Sequence, residues 1–432
     1  MIQTGKAPIS LMTFCAILSI SLLVNLPGLA VTPMLGTLSE VFPKTTQLEK
    51  QMLTVLPNLV IIPFVLLSGK LSLSRHKIGV IMAGLLIFMA CGMAYFFSDS
   101  MMMLIVVSCL LGGGAGLLIP FSQGLISDTF AGKYRMEKMG LVSGISNTSL
   151  VAATFVVGWL SHGNWHLPFA VYLIAVIPLA LSFWLKKIPR NELLPPMASP
   201  SSSPDVAAPA ATGEKVAGGL YIGRLSALMG VYAFITFATI VLSLYCPFLI
   251  EKKDWSPSLT GTITSIFFLF ILIPGYAISW IVKILKKWTF IFSALIMTAG
   301  LALFAFLPLS WSMCVGAAFA GFGYGLCQPL IYDKASRTSI SQGKSTLAIA
   351  IVLSANYIAI VLTPFIIDGL RSLLHAHGNG TFAFIVCFIL LAAYTVMAFL
   401  FRNTFAFAVN KSYYQDKQPS SSGQQPAPAK KS

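Results

Sequence analysis

Six amides lie within otherwise apolar stretches of this chain: Asn25, Asn58, Gln123, Asn147, Gln328 and Asn356. Tyr232, Tyr245, Tyr276 and Tyr324 place hydroxyls in the same kind of setting. A carboxamide removed from water is costly unless it finds a hydrogen-bond partner, so each of these groups either ties one helix to another or faces a ligand. Taken together, they can furnish an amphiphilic cavity, because ligand sites combine apolar walls with a few polar groups. The candidate substrate-binding set is Asn25, Asn58, Gln123, Asn147, Tyr245, Tyr324, Gln328 and Asn356. No nucleophile, general base or metal constellation accompanies it, so the chemistry expected is binding rather than catalysis, with no cofactor and no metal.

Two apparent motifs carry nothing. Gly343-Lys344-Ser345-Thr346 looks like the end of a phosphate-binding loop, but the first glycine of that motif would fall on Thr338 and no strand precedes it. His162 and His166 stand four apart, as metal ligands on a helix do, yet Gly163-Asn164 between them favours a polar hairpin. Seven cysteines sit singly in apolar runs with no CxxC pair. They read as small core hydrophobes.

The elements that must position the polar groups follow from composition. Hydrophobic residues make up 56% of the 432 and charged residues only 9%, against about 25% charged in ordinary globular domains. That excludes a soluble enzyme and a disordered protein. The net charge of +15 is scattered between apolar runs rather than gathered on one face, so nucleic acid is not an expected partner. A spanning helix needs about 20 mostly apolar residues, and ten charge-free runs meet that need. Two of them, 139–185 and 288–332, are about twice too long and hold turn signals at Ser161-His162-Gly163-Asn164 and Pro308-Leu309-Ser310-Trp311. Splitting both gives 12 spans, the first read as a permanent helix rather than a removable signal peptide.

An even number of spans puts both termini on one side. With the termini inside, 23 of the 28 lysines and arginines fall on the inner side, which marks that side as cytoplasmic. Residues 188–223 alternate Pro with Ser and Ala and read as a mobile linker. The predicted organisation is therefore 1–187 as a six-helix bundle, 188–223 as a disordered cytoplasmic linker, 224–402 as a second six-helix bundle, and 403–432 as a disordered basic tail. Shifting the sequence by 209 positions superposes Gly112, Gly114, Gly116 and Pro120 on Gly321, Gly323, Gly325 and Pro329. The same shift carries Arg135 onto Lys344 and Asn147 onto Asn356, so the halves read as duplicated.

The fold class expected is an all-α membrane protein with 12 transmembrane helices in two pseudo-repeated six-helix bundles. Such halves, joined by a cytoplasmic linker, are the architecture of secondary transporters that rock around a midplane site. The chain resembles the major facilitator superfamily over nearly its whole length. Its segment GGGAGLLIPFSQGLISDTFAGKYRMEKMGL, 112–141, is similar to the corresponding region of the drug:proton antiporter-like members. The loop Gly69-Lys70-Leu71-Ser72-Leu73-Ser74-Arg75-His76-Lys77 is similar to the family signature GxLaDRxGRR, with Leu73 in place of its aspartate and His76 in place of its second glycine. Ser108 stands where the family motif of the fourth helix has arginine.

Charges at the inner helix ends give a second candidate group. Asp128, Arg135, Arg75 and Lys77 gather at the cytoplasmic ends of spans 2, 4 and 5, with Lys133 and Glu137 nearby. They form either a gate that pairs in one transport state and parts in the other, or solvated loop charges whose pairs contribute only about 0 to 1 kcal/mol.

The function read from all this is secondary transport of a small organic molecule by alternating access, with export of amphiphilic compounds preferred. The alternatives are a nutrient or metabolite importer of the same fold and a non-transporting receptor or scaffold. The expected partners are the lipid bilayer, a small-molecule substrate and a coupling proton or ion, with the chain working as a monomer. No acidic or basic residue sits at the centre of a span, Asp368 near the outer end of span 11 being the deepest acid. Proton coupling therefore comes from the resemblance alone.

Overall fold

The computed structural model describes residues 2, 4, 9–28, 30, 38, 41–45, 47–73, 77–160, 164–185, 216–217, 219–255, 258–340, 344–375 and 380–409. The N-terminal half holds α1 (Leu11–Ser19), α2 (Gln47–Leu71), α3 (Lys77–Ala94), α4 (Met101–Thr129), α5 (Gly132–Leu160) and α6 (Val176–Leu185). The C-terminal half holds α7 (Ile222–Lys252), α8 (Ser258–Leu285), α9 (Thr289–Phe306), α10 (Ser310–Arg337), α11 (Ser345–Leu373) and α12 (Phe382–Leu400). A 3-10 turn, Ile20–Leu23, extends α1, and a longer one, Leu167–Ala175, leads into α6.

These helices are the 12 predicted spans. The long run 139–185 breaks after Leu160, and 288–332 breaks between Phe306 and Ser310. The apolar stretch Leu259–Phe306 would serve as one 48-residue helix by composition, but it turns at Lys286, whose φ of 49° lies in the left-handed region. Large apolar side chains such as Phe155, Trp280 and Phe365 are more than two thirds exposed. An apolar exterior of this extent is what a lipid-facing protein needs.

Small residues set the helix seams. A Cβ on Gly112 would come within 2.6 Å of the Pro57 carbonyl oxygen, and Gly116 lies against Ile61 and Phe64, so α4 rests directly on α2. In the second half Gly321 and Gly325 bring α10 onto the backbone of α8 at Phe267 and Ile271. Close backbone approach of this kind is how membrane helices associate when burial of apolar surface offers no advantage over lipid. Pro120 and Pro329 lie inside α4 and α10 at matching positions. The repeat seen in the sequence is thus a repeat of packing.

Three expectations need correction. Span 1 is a short helix, so Asn25 stands in the turn just beyond Leu23 rather than on a helix; Pro27 and Gly28, the latter at φ 74°, interrupt the helical path there. The linker is not structureless to residue 223. Val216–Ala217 pairs with Leu220–Tyr221 as an antiparallel hairpin, and this docks on the end of α10 through Tyr221 N to Thr338 O at 2.9 Å and Ile340 N to Gly219 O at 3.0 Å. The rest of the predicted linker, 188–215, lies outside the described residues. The tail does not become structureless at 403 either. Phe407 and Val409 are buried, and Lys334 Nζ donates to the carbonyl oxygens of Phe405 at 2.8 Å and Ala406 at 2.7 Å. A buried ammonium needs acceptors, and the segment that follows α12 supplies them.

Candidate functional site: a cavity between the two halves

Seven of the eight predicted site residues line one cavity of about 120 Å³: Asn25, Asn58, Gln123, Asn147, Tyr324, Gln328 and Asn356. It is walled by α2, α4 and α5 with the turn after α1 on one side, and by α7, α8, α10 and α11 on the other. Apolar walls come from residues such as Ile61, Ile119, Phe267, Phe268 and Leu353. Among the described lining residues there is no Asp, Glu, Lys, Arg or His.

On the N-terminal side, Asn25 Nδ2 donates to Asn147 Oδ1 at 3.2 Å, and Asn147 Nδ2 donates to the Ser143 carbonyl at 2.8 Å. Ser122 and Ser146 donate back to carbonyls of their own helices. Gln123 is only 4% exposed, and its Oε1 meets no partner.

On the C-terminal side, Asn356 Oδ1 accepts from the Thr236 hydroxyl and, at 3.3 Å, from Tyr324. Tyr232 and Tyr332 pair their hydroxyls at 2.7 Å, and Gln328 Nε2 donates to both, at 3.2 and 3.1 Å. Gln328 Oε1 is buried without a partner. Asn147 and Asn356 thus each bond within their own half while facing the same space. Each of these side chains therefore bonds a neighbouring group and also lines the cavity.

Tyr245 is the exception. Its hydroxyl donates to Asp368 Oδ1 at 3.0 Å, with Arg371 Nη1 3.7 Å from the same oxygen, outside the cavity. Residues that sequence reasoning passed over, Ser143, Thr236, Thr239, Tyr332 and Tyr357 among them, complete the lining. The 209-residue shift pairs Gln123 with Tyr332, and that pairing points to Tyr332.

Near the ends of the helices that carry Asp128, Arg135 and Asp333, the two halves touch. Lys77 Nζ lies 3.1 Å from Asp128 Oδ2, and Ser345, from the other half, donates to Asp128 Oδ1 at 2.8 Å. Arg135 does not pair with Asp128 as expected. Its Nε donates to Asp333 Oδ1 at 2.8 Å across the junction, and Arg337 holds the other oxygen at 3.0 Å. The physical reason is the reach of α10, which continues past its first charge, so that Asp333 and Arg337 stand opposite the start of α5. Arg75 lies outside the described residues. Ser279 donates to Glu137 Oε1 at 2.7 Å. Gly140 and Gly144 of α5 lie against Gly275 of α8, where a Cβ on Gly275 would come within 2.8 Å of the Gly144 nitrogen. Ser108 forms a 2.6 Å hydrogen bond with Tyr95, so the position where the family motif has arginine is occupied here by an internal tie.

Comparison with known proteins agrees with this architecture. The family model described as Major Facilitator Superfamily matches residues 9–339 and again 226–431. Over 135 residues the chain is 32% identical to the multidrug transporter protein MdtP of Bacillus subtilis (strain 168), a match covering 29% of this chain and 24% of that protein. The chain thus aligns with about a quarter of that relative's length. The structure is similar to that of the proton:xylose symporter XylE bound to 6-bromo-6-deoxy-D-glucose, with TM-score 0.67 and 15% identity over 90% of this chain and 95% of that one. It is also similar to the human organic anion transporter MFSD10 (TETRAN), with TM-score 0.63 and 15% identity over 88% and 98% of the two chains. For FucP in the outward conformation the values are 0.61 and 13% over 91% and 98%. At these identities the likenesses concern the fold.

Proposed function

Because the chain belongs to the major facilitator superfamily, and so is a multi-pass membrane transporter, we propose that it moves a small amphiphilic organic molecule by alternating access through the cavity between its halves. The observation that carries this reading is the pairing of a polar, uncharged cavity with a closed end made of contacts between the halves: Asp128 with Ser345, Arg135 with Asp333, Glu137 with Ser279. Rocking one half on the other breaks these contacts and opens the cavity to the opposite side. The candidate ligand-facing residues are Asn25, Asn58, Gln123, Asn147, Tyr324, Gln328 and Asn356, and the candidate gate is Asp128, Ser345, Lys77, Arg135 and Asp333. Tyr245 is withdrawn from the first group.

Export is the favoured direction, supported by the partial similarity to a multidrug transporter. The reading places both termini and the linker in the cytoplasm, takes the cytoplasmic membrane as the location if the source is bacterial and the monomer as the working unit, and draws energy from a proton or ion gradient in antiport. Its test is flux in proteoliposomes with an imposed pH gradient, using fluorescent lipophilic amphiphiles as cargo. Gradient-driven accumulation supports the proposal. Its absence in either protein orientation, with folded protein present, refutes it.

A further inference from the structure

Two buried acceptors in the cavity lack donors. Gln123 Oε1 and Gln328 Oε1 each have less than 1 Å² of exposed surface and no hydrogen-bond partner. Gln123 forms no side-chain hydrogen bond with any described residue, although it is 96% buried and faces the cavity from α4. Gln328 faces the same space from α10, with its nitrogen already committed to Tyr232 and Tyr332. The Ser143 hydroxyl is also buried and unpartnered. Nearly every buried polar group in a folded protein is hydrogen-bonded, and the exceptions mark strain or function.

The charge balance around these groups is equally informative. No acidic or basic side chain stands among the described lining residues. Asp128 and Asp333 are committed to ion pairs at the inner end, and Asp368 is tied to Tyr245 and Arg371 away from the cavity. A charged ligand entering this space would leave water with no opposite charge to meet it, which is strongly unfavourable. An uncharged ligand has no such cost, and one that donates hydrogen bonds satisfies the two glutamine oxygens.

Resting on the transport reading above, we infer that the cavity takes an uncharged amphiphile that donates hydrogen bonds to Gln123 Oε1 and Gln328 Oε1 while its apolar body lies on Phe267, Phe268 and Leu353. The glutamines come from α4 and α10, the equivalent helices of the two halves. One neutral molecule with two donors therefore bridges the halves, and its binding is coupled to their relative position.

The experiment uses the full-length protein in nanodiscs and four probes on one scaffold: 3-phenylpropane-1,2-diol, its dimethyl ether, 1-amino-3-phenylpropan-2-ol and 2-hydroxy-3-phenylpropanoate. At pH 7 these are a neutral double donor, a neutral molecule without donors, a cation and an anion. The diol is expected to bind at least tenfold more tightly than each of the others, read from ligand-dependent shifts of the unfolding midpoint. Gln123→Met and Gln328→Met should each weaken the diol about tenfold; Gln123→Met should leave the ligand-free midpoint unchanged or higher, since only an unpaired acceptor is removed, whereas Gln328→Met also removes the donations to Tyr232 and Tyr332 and should lower it. Tightest binding by the amine or the acid, equal binding of diol and ether, or no response to any of the four overturns the inference. So does unchanged diol affinity in both variants, or a lowered ligand-free midpoint with unchanged diol affinity in Gln123→Met. Selective diol binding with no flux in vesicles would keep the inference and remove the transport reading; flux of the charged probes would do the reverse.

Discussion

Arg135 at the start of α5 donates through Nε to Asp333 Oδ1 at the end of α10, so the first and second halves of the chain are joined by a 2.8 Å charged hydrogen bond. The Asp333 side chain is only 2% exposed and holds Arg337 at 3.0 Å with its other oxygen. Removing its charge leaves two guanidinium groups without their partner. Asp333→Asn is expected to weaken the closed inner end by roughly 3 to 5 kcal/mol, the cost of breaking a buried pair. Arg135→Ala spares the Arg337 pair and should cost about 1.5 to 3 kcal/mol. Labelling of a cysteine placed at Ala350, which packs on Gly69 across the junction, reads both effects. Equal labelling in variants and parent would dismiss the bridge as a closing contact.

Asp128 divides its two oxygens between functions. Lys77 belongs to the same half, whereas Ser345 belongs to the other. Asp128→Asn should therefore lower thermal stability, because the Lys77 ammonium loses its partner. Ser345→Ala should leave thermal stability nearly intact and shift the conformational balance. Identical behaviour of the two variants in both a melting curve and an inner-mouth crosslinking assay would contradict this division.

The crossing of α5 and α8 depends on Gly275, where there is no room for a Cβ against the backbone of Gly144. Gly275→Ala is expected to hold the helices apart and favour the state open at the inner end. A cysteine pair at positions 137 and 279, where Ser279 now donates to Glu137 at 2.7 Å, should lose most of its crosslinking in that background. Retention of full crosslinking would show that the seam tolerates the methyl group.

Asn147→Ala and Asn356→Ala separate ligand contact from packing. Interhelical hydrogen bonds within membranes average about 0.6 kcal/mol, so each variant should lose little stability. A lost ligand contact worth about 1.4 kcal/mol is tenfold in affinity. Tyr245→Phe, whose hydroxyl serves Asp368 outside the cavity, is expected to leave affinity unchanged. A fall in stability with unaltered affinity in both alanine variants would mark the amides as packing groups.

Topology is open to direct measurement. A cysteine at Ser202, within the Pro- and Ser-rich stretch, should react with an impermeant reagent only after the cells are opened. Reaction in sealed cells would invert the orientation drawn from the lysines and arginines.

The cavity was legible in the sequence because amides are conspicuous in an apolar span, and all six fell on its wall together with Tyr324. Serine and threonine hydroxyls gave no such contrast. Ser146 and Thr239 satisfy themselves on the carbonyl four residues back, at 2.9 and 2.8 Å, so their presence on a membrane helix says nothing about which face they occupy. Asp333 was hidden by ending a span at its first charge, while the helix continues to Arg337. Ser345 carried no charge to mark it as a partner for Asp128. Such contacts between the halves join residues 142 to 217 positions apart, and no local pattern encodes them.

Lys334 sets different rules for the two directions in which the end of the chain can change. Its ammonium is met by main-chain oxygens of Phe405 and Ala406, with the rings of Phe290 and Phe405 on its flanks at 4.2 and 5.9 Å. Every residue type offers a carbonyl, so the ammonium itself sets no requirement on the side chain at 406, whose burial is a separate constraint. Extension is equally permissive, because a partner protein fused beyond Val409 leaves those carbonyls in place. Trimming as far back as Phe405 is not: a stop codon before that residue deprives the buried Lys334 of both acceptors at once. The pair Phe405 and Ala406 is in this sense a one-way boundary: change beyond it leaves the acceptors in place, and loss of the pair itself does not.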